Sequence, residues 1–166
     1  MLDSGAFTYL ANAKAKAPDW FEYVSKYADF IKKYTVDLFF ELDIDPIVGL
    51  TKVEQLREHL ENKVGKRCIP VWHKSRGLDY WKWMCQAYDY VAIGGLVTKE
   101  IKRSEHDVFY PLLNIARQNK AKVHALGMTS IQALRKYPFD SVDSSSWLSG
   151  NRYGTIYLFD GASVRG

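Results

Sequence analysis

Short apolar runs rich in β-branched and aromatic residues alternate along this chain with longer stretches of helical periodicity. Val36-Asp-Leu-Phe-Phe-Glu-Leu-Asp-Ile44, Cys68-Ile-Pro-Val-Trp-His73, Tyr90-Val-Ala-Ile93 and Lys122-Val-His-Ala-Leu126 read as strands. Asp140-Ser-Val-Asp143 and Gly154-Thr-Ile-Tyr-Leu-Phe159 read as a fifth and a sixth, and Met1-Leu2-Asp3 as the end of a seventh. Between them, residues 20–33 carry Phe21, Val24, Tyr27, Phe30 and Ile31 on one stripe, and residues 52–63 carry Val53, Leu56 and Leu60. Residues 78–87 and 109–119 behave alike, and a short helix over 130–135 is ended by Pro138. Strands alternating with helices imply parallel pairing through right-handed crossovers. With no Gly-rich dinucleotide turn, the pattern predicts an α/β fold of (β/α)8 TIM-barrel type rather than an open sheet. A full barrel needs about 250 residues, and the chain has 166. The expectation is therefore one domain over residues 1–166, a barrel that is minimal, incomplete or a piece of a longer chain.

Composition narrows the classes without choosing among them. At 47% hydrophobic and 25% charged residues the chain suits a globular domain with a real core. No apolar run approaches the roughly 20 residues of a membrane span, and Met1 runs into Leu-Asp-Ser-Gly rather than a secretory leader. Cys68 and Cys85 match no metal or redox spacing, so a reduced, cytoplasmic setting is expected. A net charge of +4 permits nucleic-acid binding without demanding it. Basic residues gather at Lys63-Val-Gly-Lys66-Arg67, His73-Lys74-Ser-Arg76, Lys99-Glu-Ile-Lys102-Arg103 and Arg117-Gln-Asn-Lys120-Ala-Lys122. Any one of these is most simply a solvated helix face or loop. Two directly follow predicted strands, which makes Lys74, Arg76, Lys99 and Lys102 candidates for phosphate contact.

In a (β/α) barrel the chemistry sits where strands end. The residues at those positions are Asp3-Ser-Gly-Ala-Phe7, Glu41-Leu-Asp43-Ile-Asp45, His73, Gly94-Gly95, Gly127 and Asp140-Ser-Val-Asp143. Aspartate is poor in strands and costly to bury unpaired, so Asp3, Asp43 and Asp143 together suggest use, although each alone reads more simply as a cap or turn. Gly94 and Gly95 let backbone approach a flat ligand, or simply make a tight turn. His73 suits a pocket mouth or a satisfied strand end. His124, on an apolar strand, reads as a core histidine. The aromatics of Asp79-Tyr-Trp-Lys-Trp83 read as packing on the barrel wall, with stacking on an unpaired nucleotide as the alternative.

Five of these segments, in order, resemble the tRNA-guanine transglycosylases and their phage-type relatives that act on DNA. Asp3-Ser-Gly-Ala-Phe7 resembles the family's Asp-Ser-Gly-Gly-aromatic motif, and Ile93-Gly-Gly-Leu96 followed by Glu100 its Ile-Gly-Gly-Leu segment with a downstream Glu. Leu126-Gly127 is similar to its Met-Gly turn, and Val142-Asp143-Ser144 to its Phe-Asp-Cys nucleophile segment, with Arg152 and Gly154 in register downstream. Asp43 stands where the family has a base-reading Asp. Phe139-Asp140-Ser141 also resembles the nucleophile segment, but the Asp143 register is the one that aligns Arg152 and Gly154 without a gap.

The resemblance implies replacement of guanine in a nucleic acid, tRNA or DNA, by a 7-deazaguanine-type base such as queuine. Asp143 would attack the ribose C1′ and form a glycosyl-enzyme, and Asp3 would be the general acid and base. Asp43 would accept from the base N1–H and amino group, and Gly94, Gly95 and Leu96 would meet the opposite edge through their backbone. Phe7, Leu126 and Gly127 would enclose the ring, and Arg152 would join the basic residues that contact nucleic acid. The chain departs from the family in Ala6 for Gly and Leu126 for Met. It also lacks the zinc site of three Cys and one His of the bacterial tRNA enzymes, so no metal and no cofactor are expected. Two other readings compete: a non-catalytic base-binding subunit completed by a partner, and a small-molecule barrel hydrolase using the same carboxylates. An uncovered sheet edge would further predict a homo-oligomer or a partner subunit.

Overall fold

A computed structural model describes residues 1–6, 8–9, 17–128, 130–144, 154, 156, 158–159 and 164–165. Six α-helices and a four-stranded parallel sheet make up most of them. Helix α1 (Trp20–Lys33) starts where Asp19 accepts from the Phe21 and Glu22 amides and ends over Lys32 and Lys33, which complement the helix dipole. Its buried stripe of Trp20, Val24, Tyr27, Ala28 and Ile31 follows helical spacing. A short α2 (Asp45–Val48), absent from the sequence reading, leads through Gly49 into α3 (Leu50–Val64). Then come β1 (Val71–Trp72), a 3-10 turn (Lys74–Arg76), α4 (Gly77–Ala87) and β2 (Tyr90–Ile93). A second 3-10 segment (Arg103–Val108) precedes α5 (Phe109–Gln118), β3 (Lys122–Ala125), α6 (Ile131–Lys136) and β4 (Ser141–Val142).

The sheet runs β1-β2-β3-β4 in chain order, every pair parallel. Two isolated parallel bridges, Leu2 to Phe39 and Phe40 to Ile69, extend the same order toward the N-terminus. The long run predicted over 36–44 thus pairs only around Phe39 and Phe40. The sixth predicted strand is corrected more fully: β5 (Leu158–Phe159) pairs antiparallel with β6 (Val164–Arg165), outside the parallel sheet. Alternation of apolar residues marks a strand but does not tell which neighbour it will choose.

Side chains along each strand split between two faces, as the two-residue strand period requires. Trp72, Val91, Ile93, Val123 and Ala125 pack outward against Trp81 and Met84 of α4 and Phe109 and Leu112 of α5. Phe39 joins Val24 and Ile31 of α1 and Leu56 and Leu60 of α3. The alternate residues Phe40, Ile69, Val71 and Ala92 form a separate cluster on the opposite face. Among the described residues the helices therefore cover one side. On the other side the rings of Phe40 and His124 lie 5.1 Å apart, although the positions of β1 and β2 separate their strands. Three strand spacings in a flat sheet would hold those backbones about 14 Å apart; the sheet is concave on this face. Among the described residues no helix is long and apolar enough to cross a membrane.

Glu41, read from sequence as one of the strand-end carboxylates, lies not in a cavity but at the centre of the wall. It is fully buried, accepts from the Val71 amide at 2.7 Å, and receives Arg57 Nη1 and Arg76 Nη1, each at 3.0 Å. Burial pushes its carboxyl upward and the two guanidiniums oppose this. Both oxygens meet a guanidinium, which is the geometry of an ionised carboxylate. Replacing Glu41 by Ala leaves buried Arg57 with the Tyr80 hydroxyl at 3.1 Å and, as its one remaining carboxylate among the described residues, a part-exposed Glu54 at 3.8 Å. The expected loss is about 3–5 kcal/mol in urea unfolding; a loss of about 1 kcal/mol or less, as for an exposed pair, would contradict this assignment.

Candidate functional site

The ends of all six strand positions open onto one cavity of about 430 Å³. Asp3 follows the Leu2 bridge, Asp43 the Phe39–Phe40 segment, His73 β1, Gly94 and Gly95 β2, Leu126 and Gly127 β3, and Asp143 β4; all line it. Six separate stretches of sequence thus meet at one place, as the strand-end reading expected. Phe40 and Val71 add an apolar wall that the sequence reading did not single out, and Glu100 joins from the loop after β2.

His73 organises the polar side. It is 4% exposed and donates from Nε2 to Asp43 Oδ1 at 2.5 Å and from Nδ1 to Glu100 Oε2 at 2.9 Å. A ring flanked by two carboxylates holds a proton on each nitrogen. Burial pulls its pKa down, but Asp43 and then Glu100 outweigh burial and push it up to about 9. Burial likewise raises the Glu100 carboxyl, yet His73 and the Ser75 amide, 2.8 Å from Oε1, hold it below its ordinary value. Asp43 keeps Oδ2 free of hydrogen bonds among the described residues.

The glycines are explained by this cluster rather than by a ligand. A Cβ on Gly94 would sit 2.9 Å from the His73 ring and from Val71, and one on Gly95 2.9 Å from Glu100 Oε2. Gly95 also holds a left-handed φ of 80°. From sequence this pair reads either as room for a flat ligand or as a tight turn; the nearest occupants of that room are side chains of the protein itself.

Asp143 accepts the Gly127 amide on Oδ1 at 2.7 Å. The nearby His124 ring, and after it that amide, hold its carboxyl below the ordinary value against partial burial. Asp140 is placed elsewhere: its Oδ2 accepts the Val123 amide at 2.7 Å, and it does not line the cavity. Of the two aspartates with a nucleophile-like context, the cavity contains Asp143.

Other expectations divide. Leu96 packs partly buried against the outer core and lines a neighbouring cavity instead of the carboxylate one, which corrects its placement at the base edge. Arg76 is corrected as well. Its side chain is 1% exposed and bound to Glu41 and, through Nε and Nη2, to both oxygens of Asp45 at 2.7 and 2.6 Å, so it is structural and does not reach a phosphate. Lys74 is half-exposed and pairs with Glu105 at 2.7 Å. Lys99 and Lys102, with Arg103 and His106, line the neighbouring cavity, which shares Val97 and Gly127 with the first. Phe7 and Arg152 lie outside the described residues.

Asp43, Asp45 and His73 bring ligand-type atoms within 4.8 Å of one another. They do not fit a metal ion: both Asp45 oxygens are taken by Arg76, and both His73 nitrogens by carboxylates. No family model matches the chain, and neither a curated protein nor a solved structure resembles it at a significant level.

The His73 bridge predicts a pH dependence of stability. Its folded pKa of about 9 exceeds the ordinary value of about 6.5. The contribution is therefore whole below about pH 6.5 and fades as pH rises through about 9, a total of roughly 3 kcal/mol. Urea titrations across this range are expected to show the decline in wild type and its absence in His73→Gln. Parallel profiles for the two proteins would rule the bridge out.

Proposed function

We propose that this protein exchanges a guanine-type base in a nucleic acid through a covalent aspartyl-glycosyl intermediate. The observation that carries the reading is the convergence of Asp3, Asp43 and Asp143 on one cavity with a pre-formed His73–Glu100 pair behind Asp43. In this reading an Asp143 carboxylate oxygen attacks the ribose C1′. The C1′–N9 bond breaks, its electron pair leaves on the base, and Asp3 supplies a proton to that base. The incoming base then returns a proton to Asp3, its nitrogen bonds to C1′, and the Asp143 ester is released. Asp43, with Oδ1 fixed by His73, offers Oδ2 to the N–H groups that guanine and 7-deazaguanines present and adenine does not. Phe40, Val71 and Leu126 supply the apolar surface a flat base requires.

The same reading treats the concave sheet as part of a (β/α)8 barrel. Support comes from the sequential parallel order, the single helix-covered face and the contact of Phe40 with His124. Lys99, Lys102 and Arg103, beside the cavity, suit the phosphates flanking an extruded nucleotide. A cytoplasmic setting accords with two free, buried cysteines.

Incubation with guanine-containing tRNA, and separately with DNA, is expected to give a covalent adduct on a denaturing gel. The adduct should persist in Asp140→Asn and vanish in Asp143→Asn. Its persistence in Asp143→Asn would remove that residue from the chemistry. No adduct with either polymer from folded protein would favour a subunit that binds the base without reacting.

A further inference from the structure

Behind Asp143 lies a second histidine that the proposed reaction does not use. His124, on β3, is 3% exposed and points to the concave face, where the Phe40 ring rests against it. Its Nδ1 lies 2.6 Å from Ser141 Oγ, and Ser141 Oγ lies 2.5 Å from the Tyr90 hydroxyl. Its Nε2 is buried with no hydrogen-bond partner among the described residues. The carboxylate oxygen facing that nitrogen is Asp143 Oδ1, at 3.6 Å. A polar atom this enclosed is costly unless it meets a complementary charge.

We infer that His124 is a positioning residue for Asp143, aiming an Nε2–H at Oδ1 through a proton chain that starts at Tyr90 and passes through Ser141. The inference rests on Asp143 being the reacting carboxylate of the proposed function. The direction of the chain follows from counting protons. Each hydroxyl has one hydrogen. If Tyr90 donates to Ser141 and Ser141 donates to Nδ1, the neutral ring carries its hydrogen on Nε2, facing Asp143. The opposite order puts the hydrogen on Nδ1 and turns the buried Nε2 lone pair toward the half-exposed Asp143 carboxylate, which is repulsive. Of the two neutral forms, only the first directs a hydrogen from His124 at Asp143.

The consequence falls on the two oxygens of Asp143. Oδ1 is held by the Gly127 amide at 2.7 Å and faced by His124, which leaves Oδ2 as the oxygen presented for attack. The remaining charged groups lining the cavity are Asp3, Asp43, Glu100 and His73, and the last three already form their own hydrogen-bonded set. His124 and the Gly127 amide are thus the donors that act on Asp143 from β3 and the turn after it.

The test needs no turnover, so it separates this inference from the base-exchange reading. Long-range proton–nitrogen spectra of histidine-labelled full-length protein are expected to report the neutral Nε2–H form at His124; the Nδ1–H form would overturn the assignment. Carboxyl-carbon titration of labelled aspartate, assigned with Asp143→Asn, should place the Asp143 midpoint about one pH unit higher in His124→Phe. His124→Gln, whose amide can donate from nearly the same position, should restore it toward wild type, a rescue that a merely space-filling histidine would not require. An unchanged midpoint in His124→Phe would also overturn the proposal. Should His124→Phe fail to fold, Ser141→Ala keeps the ring while cutting the chain. There the Nε2–H preference should fall, and a preference equal to wild type would count against the chain. The Nε2–H form in a protein that forms no nucleic-acid adduct would sink base exchange and leave this pairing standing.

Discussion

The buried carboxylate of Glu41 is the constraint on which the rest of the site hangs. It ties the Phe39–Phe40 segment to β1 through the Val71 amide, to α3 through Arg57 and to the turn after β1 through Arg76. Arg76 continues the connection to Asp45 at the start of α2. Asp43 and His73 lie on the two segments that this network clamps together. Their contact is therefore not a loop accident: each sits two or three residues from a member of a desolvated ion network. Such a network gains little over an apolar core, but once present it admits few alternative arrangements. The geometry of the cavity inherits that restriction.

Charge in the cavity is distributed by distance from the network. His73, kept protonated between Asp43 and Glu100, offsets one of two carboxylates and fixes one oxygen of each. Asp143, on the far side, accepts a backbone amide and faces His124, and its carboxyl is held below the ordinary value. In the proposed reaction the first carboxylate would read donors and the second would act as nucleophile, a division set by environment and not by residue type. Asp3, exposed at the end of the first strand position, accepts only the Gly5 amide, at 3.4 Å, among the described residues.

Much of this was legible in the sequence because it depends on short-range pattern. The stripes of α1, α3, α4 and α5 repeat every three to four residues and fall within a residue or two of the observed helices. The strand ends, and so the cavity residues Asp3, Asp43, Gly94, Gly127 and Asp143, followed from where apolar runs stop. What stayed hidden depends on partners distant in sequence. Arg76 stands in a basic cluster beside Lys74, and nothing local shows that it turns inward to Glu41 and Asp45 while Lys74 stays at the surface. Gly94 and Gly95 read from sequence as space for a ligand or as a tight turn, and the residues that fill that space, His73 and Glu100, lie too far along the chain to be anticipated. The run over 154–159 shows the limit of apolar alternation, which fits the antiparallel β5–β6 pair as well as a further parallel strand. Asp140 and Asp143, three residues apart, were hard to separate by motif, yet they sit at opposite ends of β4 with different partners.

The central claim is that the cavity recognises a guanine-type base through Asp43, and equilibrium binding of free bases tests it most directly. Saturation-transfer spectra with guanine and with adenine, on wild type and Asp43→Asn, separate recognition from catalysis. The account predicts that wild type binds guanine and not adenine, and that Asp43→Asn loses the preference while remaining folded. Equal binding of both bases, or a guanine preference unaffected by Asp43→Asn, would contradict it.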